Sequence, residues 1–507
     1  MASSPIKLAP RPGIQRDGTQ FDSDSFIDGL WTRFYRGRPK KIGGYQSIVT
    51  AIPTLPYAMS SYTAQNKTYA HLGSVSALYQ VLISSTGGFL GLTDRVPAGL
   101  PADANRLWQF EILYDSAGGA NNLIAHGPPN LNDISNENTG KIYYGDVTAT
   151  GALVDTGAAE ESGGIAAIAP SLFKFGTAGH IAWSVPNAPA DFAGTGSGEA
   201  WVTPAKIIRG LPLRSGGNGP AGIFWSLDSL IRGSFVGSTA GYWAFDTLAG
   251  EISVLSSRCI IEYDGNYYWL GVDRAQMFNG VTREVQNNFN MDWFLNNLNF
   301  TQRQKVFAFK VPRYGEIWWC FPKGSSTECD HAIIYNLREN CWYDTALPEG
   351  GRSVGLYAKV YNKPFMVGVE DDSGFTMWQH ETGVNKVNGA DIKPVTANFQ
   401  TNEISLVALD DQPKDKTLRV SRVEPDFVQA GDLTVTVKGR ANARAANIDS
   451  PPFTIPAVAS NSEEQTTPLT FTRRLMSFKF ESNTVDGDFY MGKTIAHIEE
   501  ADGRVTQ

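Results

Sequence analysis

A chain of 507 residues is longer than one ordinary hydrophobic core sustains, so it either divides into several packing units or repeats one unit many times. Its 42% hydrophobic content suits folding, its 51 glycines and 27 prolines mark many short turns, and no run of about 18 apolar residues offers a membrane-spanning helix. A net charge of −8 argues against a generally basic nucleic-acid grip, and four cysteines are too few for a disulfide framework.

Residues 1–20 lack the apolar stretch of a secretory signal and read as an N-terminal arm. Next, "TRFYRGRPKK" puts Arg33, Arg36, Arg38, Lys40 and Lys41 within ten residues. Such a run is either a solvated turn rimmed by cations or a patch that docks an acidic partner surface. Further along, "TYAHLGS" around Ala70 and "NNLIAHG" around Ala125 are faint versions of an aromatic strand that recurs more clearly downstream. Between Ala125 and the first clear copy, residues 130–170 are polar and rich in small residues, and read as an insertion.

The clear copies are "HIAWSV" with Trp183, "IFWSLD" with Trp225, "NYYWLG" with Trp269, "EIWWCFP" with Trp318 and "PFMVGV" with Met366, spaced by 42, 44, 49 and 48 residues. Four strands per 40–50 residues is the requirement of a β-propeller blade. A four-stranded meander has two apolar faces, and a ring of such sheets buries both while leaving only short edges. Five clear units and two faint ones predict a mainly β protein, a propeller of about six or seven blades over residues 21–395. The alternative is a set of unrelated hairpins in β-sandwiches.

The densest unit lies at 252–285. Asp264-Gly265 and Asn279-Gly280 are strong type I′ hairpin signals, since both central positions of that turn need positive φ. With a break at Asp273-Arg274, they predict strands over 252–263, 267–272, 276–278 and 281–285. Tyr267, Tyr268 and Trp269 are consecutive, so they point to alternate faces and fill the space between blades. Residues 290–304 are the one helical-looking stretch and read as a connector between blades. After residue 395 the period-two alternation of "TLRVSRVEPDFVQAGDLTVTVKGR" and "LTFTRRLMSFKFES" predicts a C-terminal β-sandwich-like domain over 396–507.

Conventional chemistry is sparse. There is no phosphate loop, no H-E-x-x-H and no G-x-S-x-G elbow, so no catalytic residue, cofactor or metal is assigned. Cys320, Cys329 and Cys341 lie near His331, but their spacings do not suit zinc, and buried reduced thiols are the better reading. Glycoside hydrolysis needs only two carboxylates in a cleft, so an axial glycosidase acting on host surface glycans is an alternative function. "DDSGFTMW" at 371–378 resembles the Asp-box of sialidase propellers, with Met377 separating Thr376 from Trp378; in those enzymes the box is a structural turn.

"SSRCIIEYDGNYYWLGVDRAQMFNG" resembles the most recognisable segment of the tail hub, or nozzle, proteins of short-tailed bacteriophages, the packaged-DNA stabilisation family. The residues that carry the likeness are Ser257, Arg258, Glu262, Tyr263, Asp264, Gly265, Trp269, Gly271, Asp273, Arg274, Phe278 and Gly280. "WTRFYRGRPKKIGGY" is similar to the family's N-terminal R-F-x-x-G-x-P-x-K-I-G-G pattern, and "FGTAGHIAWSVPNAPADF" to a central one. The resemblance implies a virion protein, assembled in the host cytoplasm and built into the phage tail as a ring, usually a homo-hexamer. It implies contact with the portal–adaptor proteins, and makes tail fibres or spikes candidate partners without deciding whether they attach to this chain. The genomic DNA would be retained and then conducted without sequence-specific binding, and without membrane insertion. A monomeric propeller acting as a protein-binding module is the third reading.

Overall fold

The computed structural model describes residues 4–101, 103–131, 133–214, 219–238, 241–368, 374–406, 416–457 and 467–501. Six four-stranded antiparallel sheets follow one another, each one blade, and a seventh blade makes up four strands of a six-stranded sheet that Asn385–Asn388 and Asp391–Pro394 extend beyond its outer edge. Blades 1 to 6 span 56–94, 109–155, 164–201, 207–250, 261–284 and 307–346. Blade 7 takes three strands from 354–380 and its fourth from the other end of the chain. The strand Tyr45–Ile52 pairs antiparallel with Phe375–His380, Tyr45 opposite His380 and Phe375 opposite Ile52. First strands lie side by side around the axis from blade 1 to blade 4 and from blade 5 to blade 7. Blades 4 and 5 meet through Trp225 and Trp269, and the first strand of blade 7 packs on that of blade 1, closing the ring.

The two faint repeats are full blades. Ala70 and Ala125 sit on second strands, as do Trp225, Trp269, Trp318 and Met366. Trp183 does not: it lies on the third strand of blade 3, whose second strand is Ser171–Phe175. The stretch 130–170 is no insertion. It supplies the third and fourth strands of blade 2, Ile142–Asp146 and Val154–Asp155, and the first strand of blade 3, Gly164–Ile168. Its polarity reflects a long connection and a two-residue outer strand whose residues are both exposed.

Aromatic side chains fill the gaps between blades, as their alternation requires. Trp269 meets Trp225 of blade 4 edge-on at 5.9 Å, Tyr267 meets the same ring at 5.6 Å, and Tyr268 faces Tyr335 of blade 6 at 6.4 Å. The connector between blades 5 and 6 is a short helix, Met291–Asn297, followed by a 3-10 turn, Phe300–Lys305.

Beyond blade 7 the chain forms a sandwich-like body of three sheets, and it draws on the N-terminus to do so. Ser4–Leu8 pairs with Thr494–Ala501, Asp28–Leu30 with Ala397–Gln400, and the hairpin of Thr32–Tyr35 and Arg38–Lys41 with Asp488–Met491. The first 41 residues therefore belong structurally with the C-terminal sheets, and the propeller strands begin at Tyr45. Leu433–Arg440 alternates buried and half-buried side chains, the pattern its sequence carries. Its core residues Val435, Val437 and Phe480 run without interruption through Phe26, Phe34 and Trp31 into Trp318 and Tyr343 of blade 6.

Candidate functional site

The cationic run 33–41 folds into a tight hairpin. Arg36 and Gly37 occupy its turn with φ of 50° and 72°, so the turn itself demands residues that tolerate positive φ. Strand alternation then divides the cations. Arg36 is exposed and Arg38 and Lys40 half-buried, but Arg33 and Lys41 are fully buried. Arg33 grips Glu316 with two hydrogen bonds, Nε to Oε1 at 2.8 Å and Nη2 to Oε2 at 3.0 Å, and reaches Glu381 at 2.5 and 2.9 Å. The Tyr343 hydroxyl and the Trp318 indole also donate to Glu316, at 2.6 and 2.9 Å, and Arg33 stacks 3.7 Å over Tyr314. Burial alone would lower the Arg33 pKa; the two carboxylates hold it above its ordinary value. Lys41 Nζ donates to the Gly487 carbonyl at 2.6 Å, and burial pushes its pKa down to about 8. Two of the five residues read as a docking patch are thus internal ties from the hairpin to blades 6 and 7 and to the C-terminal body.

The segment 257–280 is blade 5. Asp264 and Gly265 have φ of 50° and 79° and join Ile261–Tyr263 to Asn266–Leu270 in the two-residue turn their sequence specifies. Glu262 sets that turn by accepting the Gly265 N–H at 2.8 Å and pairing with Lys310 at 3.2 Å. Burial pushes the Glu262 carboxyl up, but these contacts win and hold it below its usual range. The second hairpin differs from expectation. Phe278 pairs with Thr282, leaving a three-residue loop in which Gly280 has φ of 107°. Trp269 donates to the Ser253 carbonyl at 3.1 Å, and Tyr263 and Phe278 are buried. Asp273 accepts from the Ser253 hydroxyl at 3.0 Å and lies 3.4 Å from Arg274 on the surface.

Arg258 reaches the propeller axis, with Ser257 and Ile260 beside it. Its guanidinium donates to the carbonyls of Tyr57 in the first strand of blade 1, Ser353 before blade 7 and Lys305 before blade 6, and lies 5.7 Å from the Phe307 ring centre. It lines an axial cavity of about 160 Å³ with Tyr57, Trp108, Gln109, Arg209 and Phe307, side chains drawn from five blades. The lining contains no Asp or Glu. Toward the start of the first strands the axis narrows to a gap of about 10 Å³ beside Asn130, Lys206 and Gln304. Glu111 stands beside Arg209 at 3.9 Å, and burial pushes its carboxyl up to about 7. Sequence reading passed over Arg209 and Glu111; the visible signal is a charged residue inside each of two first strands, "IIRGLP" and "QFEILYD".

The histidines are spread through the fold. His71 and His126 are buried, bonded to Gln80 and to the Glu161 carbonyl, and burial pushes both down to about 4. All four cysteines are free and buried, and no cluster of metal-ligating side chains occurs among the described residues. Within the Asp-box match, 371–373 lie outside the described residues; Trp378 packs against Tyr45 at 5.1 Å in blade 7. No described helix is long and apolar enough to cross a membrane.

No family model and no curated protein matches the chain. Among solved structures, Saccharomyces cerevisiae Sqt1 aligns over 85% of this chain and 99% of its own at 10% identity, with a TM-score of 0.36, a likeness too slight to bear on function.

Proposed function

We propose that this protein is a structural, ring-forming virion component, the tail nozzle of a short-tailed bacteriophage, which meets the portal–adaptor assembly and retains and conducts the genome. The supporting observation is the stretch 257–280, whose shared residues make the turns, inter-blade contacts and axial tie of one blade. Arg33, Lys41 and the crowded Gly43-Gly44 of the N-terminal pattern fix the hairpin in the same way; a Cβ on Gly44 would stand 2.2 Å from the Asn385 carbonyl. The pattern therefore describes architecture, as a scaffold protein needs. The axis of one propeller is a small cavity, so a duplex would pass between subunits and not through one. A carboxylate pair for glycoside hydrolysis is absent from that cavity's lining.

The second reading, a monomeric protein-binding propeller, is favoured by ring closure within one chain, since Tyr45–Ile52 completes blade 7 without a second copy. Mass measurement of the purified protein, alone and with a portal–adaptor complex, with negative-stain imaging, separates the two. A ring with a central channel, even one formed only on the adaptor, supports the nozzle. A stable monomer that ignores the adaptor overturns it in favour of the module.

A further inference from the structure

The axial cavity is short of negative charge. Arg209 projects into it from the first strand of blade 4, and its Nε is buried with no hydrogen-bond partner. The carboxylate paired with it, Glu111, is at the outer limit of an ion pair at 3.9 Å. Arg258 spends its two terminal nitrogens on backbone carbonyls, and its Nε too is buried without a partner. Glu328, behind Tyr57, is taken by the Lys305 ammonium at 2.6 Å and the Tyr57 hydroxyl at 2.9 Å. Gln109 turns its polar atoms elsewhere: its Oε1 accepts the Ile165 N–H at 3.3 Å and its Nε2 donates to the carbonyls of Gly163 and Ile208.

A buried cation without a counter-charge is costly, and chains usually pair it. Here Arg258 has no ion-pair partner among the described residues and Arg209 only the distant Glu111, and the two border a space of about 160 Å³, room for roughly five waters at bulk density. Guanidinium forks match the oxygens of a tetrahedral anion and are the preferred partners of phosphate groups. We propose that the propeller axis is an anion-binding site, holding one free inorganic oxyanion of phosphate or sulfate size between Arg209 and Arg258. The bound ion joins blade 4 to the Arg258 tie and, through its carbonyl partners, to blades 1, 6 and 7. The axis would then be stiffened from within, whatever the protein's assembly state.

Arg209 is the residue to change, because Arg258 also holds three backbone carbonyls and its loss would disturb the fold. Isothermal titration of the full chain with inorganic phosphate, against a chloride buffer of equal ionic strength, should show one site per chain and a raised melting temperature. Arg209→Gln should weaken binding by about tenfold or more, the cost of losing charged hydrogen bonds, while keeping the wild-type circular dichroism. Arg209→Lys keeps the charge without the fork and should bind at intermediate strength; it replaces the glutamine variant if that one does not fold. Equal stabilisation by phosphate and chloride, or wild-type affinity in Arg209→Gln, would overturn the site. Tighter binding of a nucleoside monophosphate than of phosphate would overturn the assignment to a small free ion.

Discussion

Arg33 shows how far a single residue can depart from the run it belongs to. In sequence it is one of five clustered cations, and clustered cations are usually solvated. In the fold it is wholly buried, because β alternation turns it inward beneath Tyr314 and onto two carboxylates that lie about 280 and 350 residues away in sequence. No local pattern carries that information. Replacing Arg33 by Met leaves Glu316 buried and uncompensated and should cost about 3–5 kcal/mol, whereas Arg36→Ala at the exposed turn should stay within about 0.5 kcal/mol. Urea unfolding of the two variants checks the difference; equal midpoints would refute the buried tie. Turn chemistry, by contrast, was legible wherever a glycine faced a two-residue loop, as at Asp264-Gly265. Asn279-Gly280 shows the limit, because the same dipeptide also fits a longer loop.

The buried histidines make a second prediction at this scale. Folded, His71 and His126 titrate near 4; unfolded, near about 6.5. Between those values the unfolded chain holds more protons, so stability falls as pH drops through that window and is unaffected by these groups above it. Each contributes on the order of 3 kcal/mol at neutral pH that is gone by about pH 4. Melting temperature followed from pH 7 to 4 should fall less steeply in His71→Gln/His126→Gln than in the wild type. Parallel curves would show that neither imidazole is held neutral by the fold.

At the level of elements, the repeat was readable because second strands lie in the middle of each blade and must be apolar on both faces. Blade 3 misled for a specific reason. Its second strand, "SLFKF", carries no tryptophan, while its third, "HIAW", does, and the spacing tolerates either choice. The closing strand of blade 7 was illegible, since it lies more than 300 residues before its partner and looks like any other alternating segment. Its role is nonetheless strong. A chain beginning at residue 53 would leave Phe375–His380 with an unpaired edge and uncover core residues Val367 and Met377, which pack with Val49 and Ile52. Such a chain should aggregate, or show rapid amide exchange across blade 7 while blades 4 and 5 stay protected. A soluble product with blade 7 fully protected would mean that the ring closes by some other contact.

For the whole molecule, the sandwich-like body was legible as alternating strands, but its N-terminal contribution was not. Pairing Ser4 with Ile498 crosses nearly the entire chain, and only packing decides it. One consequence is that the surface left to the basic hairpin is smaller and better defined than its sequence suggests: Arg36, Arg38 and Lys40, beside Tyr35 and Tyr490. These three can be reversed without touching the buried ties. Arg36→Glu/Arg38→Glu/Lys40→Glu changes the charge of one edge of the molecule by six units while leaving Arg33, Lys41 and the turn glycine in place. If that edge docks an acidic neighbour, the triple variant should melt within a few degrees of the wild type yet lose ring formation or adaptor binding, and raised salt should weaken the wild-type assembly in the same direction. If the variant assembles as before, the hairpin is only a clamp between propeller and C-terminal sheets, and subunit contacts must be sought on the blade edges, where Phe89, Leu90 and Trp201 stand exposed.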